Sequence, residues 1–336
     1  MTAAAQPVVP QFLDPTVLAK IGNLELIARV VVEGFLNGLH RSPHLGMSMD
    51  FAEHRAYMPG DDIRRIDWKL FGRTDRHYLK EFEADTNANF SVLLDISRSM
   101  GYGSRGLTKL DYARYLAACL LYFSHKQRDR IGFATFDDDI VDFVPPSAKH
   151  LPVALHTIER LGTRHSALGA AGESGAATRS AARQPSAESP VPSPDGAKPR
   201  VFERALAKFA DSVRRRSILV LISDLYDEPR SILDAISHLR GKGNDIIVMH
   251  LLDPAELDFP FDEAASFEDL ESAERLSVIP EYLRDEYRAM VAEHVATLGK
   301  LLGENRIDYT LFNTSEPLDR ALFSYLSNRQ RLSRVR

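Results

Sequence analysis

Two apolar runs in this chain end in carboxylates and hydroxyls. Phe90-Ser91-Val92-Leu93-Leu94 leads into Asp95-Ile96-Ser97-Arg98-Ser99, and Ile218-Leu219-Val220-Leu221-Ile222 leads into Ser223-Asp224. If both runs are neighbouring parallel strands, about 4.8 Å apart, Asp95 and Asp224 can address one ion directly or through its waters. Ser97 and Ser99 follow at alternate positions and can turn their hydroxyls to the same point. Oxygen donors of low total charge suit Mg²⁺ or Mn²⁺. The competing reading is a strand-to-helix turn whose Asp and Ser side chains merely bond to backbone amides. A second strand ending in Ser-Asp favours the ion.

Other chemistries lack their parts. There is no G-x-S-x-G, no phosphate-binding G-x-x-x-x-G-K-[ST] and no G-x-G-x-x-G after a strand. The eleven histidines are scattered. Only His40 and His44 are four apart, and Pro43 between them argues against a shared helix face. Asp137-Asp138-Asp139 lacks the glycine and distal glutamate of an EF-hand loop and reads as a solvated hairpin turn. A hydrolase using the same ion to activate water would need a general base within hydrogen-bond reach, and no residue presents itself.

The elements that must position these groups follow from periodicity. Asp14 to Leu39 reads as one amphipathic helix or two short ones, and Tyr78 to Phe82 as a strand. From residue 90 onward strands and helices alternate. Phe90 to Leu94, Arg130 to Phe136, Ile218 to Ile222, Asp245 to Leu251 and Ile307 to Phe312 read as strands. Lys109 to Lys126, Leu151 to Leu161, Val201 to Arg215, Pro229 to Gly241, Ile279 to Leu302 and Pro317 to Leu326 read as helices. Ile140 to Val144 should pair back as an antiparallel edge strand that Pro145-Pro146 stops. Together these spell a doubly wound, mostly parallel α/β sheet with one antiparallel edge strand.

Residues 166–200 hold 24 Ala, Ser, Pro or Gly out of 35, a composition that cannot form a core and predicts a disordered insertion. The expected organisation is a flexible tail at 1–13, a helix and charged segment at 14–89 packed on a main domain at 90–328, and a basic tail at 329–336. The formal charge of -5 over 336 residues promises neither nucleic acid nor a membrane surface. A single cysteine, Cys119, excludes an intramolecular disulfide framework. With no run apolar enough to span a bilayer and no signal-like N-terminus, the expected location is the cytoplasm.

Asp95-Ile-Ser97-Arg-Ser99 resembles the D-x-S-x-S motif of von Willebrand factor A-type domains, whose metal-ion-dependent adhesion site holds Mg²⁺ or Mn²⁺. On that resemblance Asp224 matches the later strand-end aspartate of the site. A loop threonine usually contributes as well; Thr163, after Leu161-Gly162, is the best match and Thr178 a weaker one. A partner's carboxylate commonly completes such a shell, so the resemblance implies protein recognition.

The stretch Glu53-His54-Arg55-Ala56-Tyr57-Met58-Pro59-Gly60-Asp61-Asp62-Ile63-Arg64-Arg65-Ile66-Asp67-Trp68-Lys69 is similar to the signature of bacterial domain-of-unknown-function family number 58. So are Val32-Glu33-Gly34, Arg41-Ser42-Pro43, Asp253-Pro254-Ala255-Glu256-Leu257-Asp258-Phe259-Pro260 and Tyr325-Leu326-Ser327-Asn328-Arg329. The resemblance implies a metal-assisted, non-enzymatic adaptor that works with a MoxR-type AAA+ ATPase, or its client, in the maturation or assembly of other proteins. A metal-dependent hydrolase and a scaffold with a vestigial site are the alternatives. Within the signature, Arg64, Arg65 and Trp68 read either as an intrachain clamp closed by Asp61, Asp62 and Asp67, or as anchors of a docking surface.

Overall fold

A computed structural model of the chain describes residues 23–41, 54–56, 71–73, 75–76, 78–80, 88–170, 201–213, 215–262, 265–268, 275–322 and 325. The chain divides into two compact units, residues 33–87 and the remainder. In the smaller unit, strands β1 (His54–Ala56) and β2 (Tyr78–Lys80) form an antiparallel ladder in which Arg55 faces Leu79. Helix α1 (Leu24–Arg41) begins in the larger unit, where the Leu24 amide donates to Glu159 Oε1 at 3.3 Å.

The larger unit is built on one six-stranded sheet. Its strands in chain order are β3 (Asn89–Asp95), β4 (Arg130–Phe136), β5 (Ile140–Ser147), β6 (Ser217–Ser223), β7 (Asp245–Leu252) and β10 (Asp308–Asn313). Across the sheet they lie in the order β10-β7-β6-β3-β4-β5, all parallel except the edge strand β5, which runs against β4. The helices that connect them are α2 (Lys109–Lys126), α3 (Leu151–Ala170), α4 (Val201–Ser212), α5 (Pro229–Gly241), the short α6 (Pro254–Asp258) and α7 (Pro280–Glu304). This is the doubly wound α/β arrangement that the strand-helix alternation predicts, and it matches the von Willebrand factor A-like fold that the motif resemblance implies.

Burial explains why the central strands read as unbroken apolar runs. Every residue of β6 is buried, as are all of β3 but the first. Sheets sandwiched by helices leave no wet face for alternation to record. On one face Leu93, Leu219, Leu221, Ile246 and Val248 pack against α4, α5 and α7 through Phe209, Ile236 and Leu298. On the other, Phe90 meets the edge of Tyr325 at 5.7 Å, and Tyr325 meets Phe123 of α2 at 6.1 Å. Cys119 is buried in α2.

Three local features differ from expectation. The edge strand does not stop at Pro145-Pro146 but continues to Ser147, which pairs with Ile131 across a register shift. Proline lacks the N–H that a central strand would need, and an edge strand has a side where none is required. Gly132 makes room for it: a Cβ there would lie 2.5 Å from Ser91 Oγ and 3.0 Å from Pro146 Cγ. Helix α3 runs past Leu161 to Ala170, into the first residues of the segment expected to be disordered; 171–200 lie outside the described residues. Finally, α6 and a hairpin of β8 (Ala265–Glu268) with β9 (Arg275–Val278) occupy a stretch where no element was expected. Among the described residues no helix is long and apolar enough to cross a membrane.

Candidate metal-binding edge

The parallel register places the ends of β3 and β6 side by side, with Leu94 opposite Ile222. Asp95 therefore closes the strand next to Ser223, and both are buried, Asp95 at 5% exposure. Ser223 Oγ donates to Asp95 Oδ2 at 2.5 Å, while the Ser97 amide donates to Asp95 Oδ1 at 2.9 Å. Ser97 Oγ and Ser99 Oγ lie 3.1 Å apart in the single 3₁₀ turn that follows, Arg98–Gly101. Asp224 follows Ser223 and is likewise buried. The next residue, Leu225, takes a left-handed backbone (φ 48°), its amide donating to Ser223 Oγ at 3.1 Å. A side chain in that conformation is strained by about 1–2 kcal/mol, so the surrounding bonds must hold the turn.

The sequence-derived residues Asp95, Ser97, Ser99 and Asp224 thus come to one edge of the sheet. Thr163 sits inside helix α3 rather than in a loop, and its side chain is outside the described residues. Thr178, Arg64, Arg65 and Trp68 also lie outside them. The Asp137-Asp138-Asp139 turn is tied to α4: Lys208 pairs with Asp139, and Arg204 donates to the Asp138 carbonyl at 3.0 Å.

Sequence reasoning missed the groups behind the carboxylates. Lys109, the first residue of α2, is fully buried, and its Nζ donates to Asp224 Oδ2 at 2.8 Å and to Glu256 Oε1 at 2.6 Å. The ammonium also stands 4.8 Å from the centre of the Tyr226 ring. A cation at a helix N-terminus opposes the helix dipole, and a buried one needs compensation. Burial works against the charge on Lys109, yet Asp224 and Glu256 outweigh it and hold its pKa above the ordinary value.

Glu256 is the third residue of α6, whose N-cap is Asp253. The Asp253 amide donates to Glu256 Oε2 at 2.8 Å and the Ala255 amide to Asp253 Oδ1 at 2.8 Å, completing a capping box. Asp253 further accepts from the Ser104 amide at 3.0 Å and from Ser104 Oγ at 2.5 Å. The run Asp253-Pro254-Ala255-Glu256 does announce a capped helix start in the sequence. Nothing local announces that its glutamate faces Lys109.

Beneath Asp224, its carbonyl is bonded to His250 Nε2 at 2.8 Å, and His250 Nδ1 meets the Tyr309 hydroxyl at 2.7 Å. Burial, with His294 nearby, drives the His250 pKa down to about 3. Burial and then the Asp224 charge push Asp95 the other way, up to about 7.

Among the described residues no group of three or more His, Cys, Asp and Glu side chains forms a metal site. The donor set here is of another kind, two carboxylates and two hydroxyls. It nevertheless fits a hard divalent cation. Asp95, Asp224 and Glu256 are buried acids, Lys109 pairs with the latter two, and burial and then the Asp224 charge make Asp95 ionise with difficulty.

Among curated proteins, the chain is 25% identical over 295 residues to uncharacterized proteins of Mycobacterium bovis and Mycobacterium tuberculosis, covering 86% of this chain and 82% of theirs. Among solved structures it is similar to the conserved hypothetical protein BatB from Bacteroides thetaiotaomicron. That match has a TM-score of 0.41 and 13% identity, over 72% of this chain and 99% of that one. It is also similar to an aerotolerance-related membrane protein from Bacteroides fragilis, with a TM-score of 0.41 and 16% identity, over 70% of this chain and 96% of the other. The profile described as "Protein of unknown function DUF58" matches residues 53–297, and the chain belongs to that family.

Proposed function

We propose that this protein is a protein-binding adaptor whose binding edge is metal-assisted, acting with a MoxR-type AAA+ ATPase in the maturation or assembly of other proteins. The observation that carries this reading is the pair Asp95 and Asp224, buried at adjacent strand ends beside the Ser97 and Ser99 hydroxyls. Asp95, Ser97, Ser99 and Asp224 would hold Mg²⁺ or Mn²⁺, which when bound supplies a positive centre that attracts a partner's carboxylate.

The neighbouring groups support recognition rather than bond cleavage. Glu256 is pinned between Lys109 and the Asp253 amide, and both His250 nitrogens are engaged by Tyr309 and the Asp224 carbonyl. A general base needs a lone pair aimed at substrate, and neither side chain offers one. The MoxR-type partner comes from the family resemblance and the metal from the donor set.

The test is recovery of the purified MoxR-type ATPase on immobilised protein, in Mg²⁺ or in chelator, with wild type and Asp95→Asn. The amide is isosteric and keeps one acceptor, for the Ser97 amide, so the fold should survive. Recovery should drop on the order of tenfold with chelator and with the variant. Recovery indifferent to both would overturn the metal-assisted interface, and no recovery under any condition would overturn the partner.

A further inference from the structure

Building on that reading of the edge, we propose that Lys109 is an internal counter-cation that competes with the divalent ion for Asp224, and that Glu256 sets how strongly it competes. Lys109 comes from the first turn of α2, Asp224 from the end of β6 and Glu256 from the capping box of α6. All three are buried, with Lys109 showing no exposure and Glu256 1%. The ammonium is bonded to one oxygen of each acid, Asp224 Oδ2 and Glu256 Oε1. Asp224 is thus addressed from inside the protein by a fixed positive charge and from the sheet edge by whatever cation occupies the site.

Electrostatics gives the competition a sign. A buried ammonium near a divalent ion repels it, and the carboxylate they share is divided between them. Glu256 offers Lys109 a second carboxylate, which lets it yield Asp224. If Glu256 is neutral, Lys109 has only Asp224 to balance its charge and must hold it harder. If both Lys109 and Glu256 are neutral, the local net charge is unchanged and Asp224 is released to the edge. Two substitutions at residues outside the ion's donor set should therefore move affinity in opposite directions. A purely structural role for the triad would not do this, because loosening the edge lowers affinity whichever residue is changed.

The experiment is titration of Mn²⁺ into the full chain, reading unbound Mn²⁺ by its electron paramagnetic resonance signal. It uses wild type, Asp95→Asn, Glu256→Gln and the double variant Lys109→Met/Glu256→Gln. Glutamine retains an acceptor for the Asp253 amide and methionine fills the lysine's apolar volume; the double variant leaves Asp224 without its ammonium, so that the added ion becomes its counter-charge. Circular dichroism and thermal melts confirm folding before titration. Glu256→Gln should weaken Mn²⁺ binding about tenfold, and the double variant should tighten it about tenfold relative to wild type. Shifts of the same sign, or of less than about twofold in both variants, would overturn the competition. Equal binding by wild type and Asp95→Asn, or none by wild type, would instead overturn the metal edge itself and the competition with it.

Discussion

Asp95 and His250 are buried on the strands to either side of the Ser223-Asp224 strand end, and their pKa values are displaced in opposite directions. Burial, and then the charge of Asp224, push Asp95 up to about 7 from an ordinary value of 3.8. Between those values the folded chain keeps a proton that the unfolded chain has released, so the Asp95 contribution to stability is complete below the reference and falls as pH rises to 7. His250 titrates at about 3 against a reference of 6.5. The unfolded chain there binds a proton that the folded chain refuses, so the His250 contribution is present above 6.5 and falls as pH drops toward 3. Each slope reaches about 1.4 kcal/mol per pH unit, and the two nearly cancel where their windows overlap. Urea unfolding in chelator across that range should show Asp95→Asn gaining on wild type as pH rises. The deficit of His250→Gln should widen over the same interval. Curves parallel to wild type for both variants would show that neither group is displaced.

At the scale of elements, the site is held by two helix starts that face each other across strand ends. Asp253 joins them: its carboxylate caps α6, receives both donors of Ser104 in the loop before α2, and is approached by Thr314 Oγ1 at 3.4 Å. Asp253→Ala should cost about 2–4 kcal/mol in chemical denaturation, more than an exposed cap, because the buried Thr314 hydroxyl and both donors of Ser104 lose their acceptor together with the Ala255 amide. A loss no larger than that of an exposed cap would show that the loops find other acceptors. These elements also show where reading from sequence stops. Phe90 to Leu94 and Ile218 to Ile222 are legible as buried strands because a covered sheet demands apolar residues on both faces. Asp95, Ser97, Ser99 and Asp224 are legible because strand ends gather polar groups. Lys109 is not, because a lysine opening an amphipathic helix has the pattern of a solvated residue. Its partners are 115 and 147 residues further along the chain. The prolines of β5 escape local reading for a similar reason: their tolerance depends on Gly132, in the neighbouring strand.

Across the whole molecule, Tyr325 closes the face opposite α4, α5 and α7. Tyr325 is fully buried, packs on Phe90 and Phe123, and lies 3.3 Å from Ser124 Oγ through its hydroxyl. Tyr325→Ala should destabilise the protein by about 3–5 kcal/mol, and Tyr325→Phe by about 1 kcal/mol, measured by thermal or urea unfolding. Equal losses would place the contribution in the hydroxyl rather than in the ring. The antiparallel direction of β5 has a separate outcome. That strand ends at the margin opposite Asp95, so α3 must carry the chain back across the sheet before α4 begins. Phe202, in the first turn of α4, stacks edge-on against Phe136 at 5.8 Å, and Phe136 is the register partner of Asp95. Helix α4 therefore begins at the rim of the proposed metal edge. A partner seated on the proposed cation edge would thus meet the first turn of α4 beside the end of β3, which makes that turn part of the surface on which the partner's specificity is written.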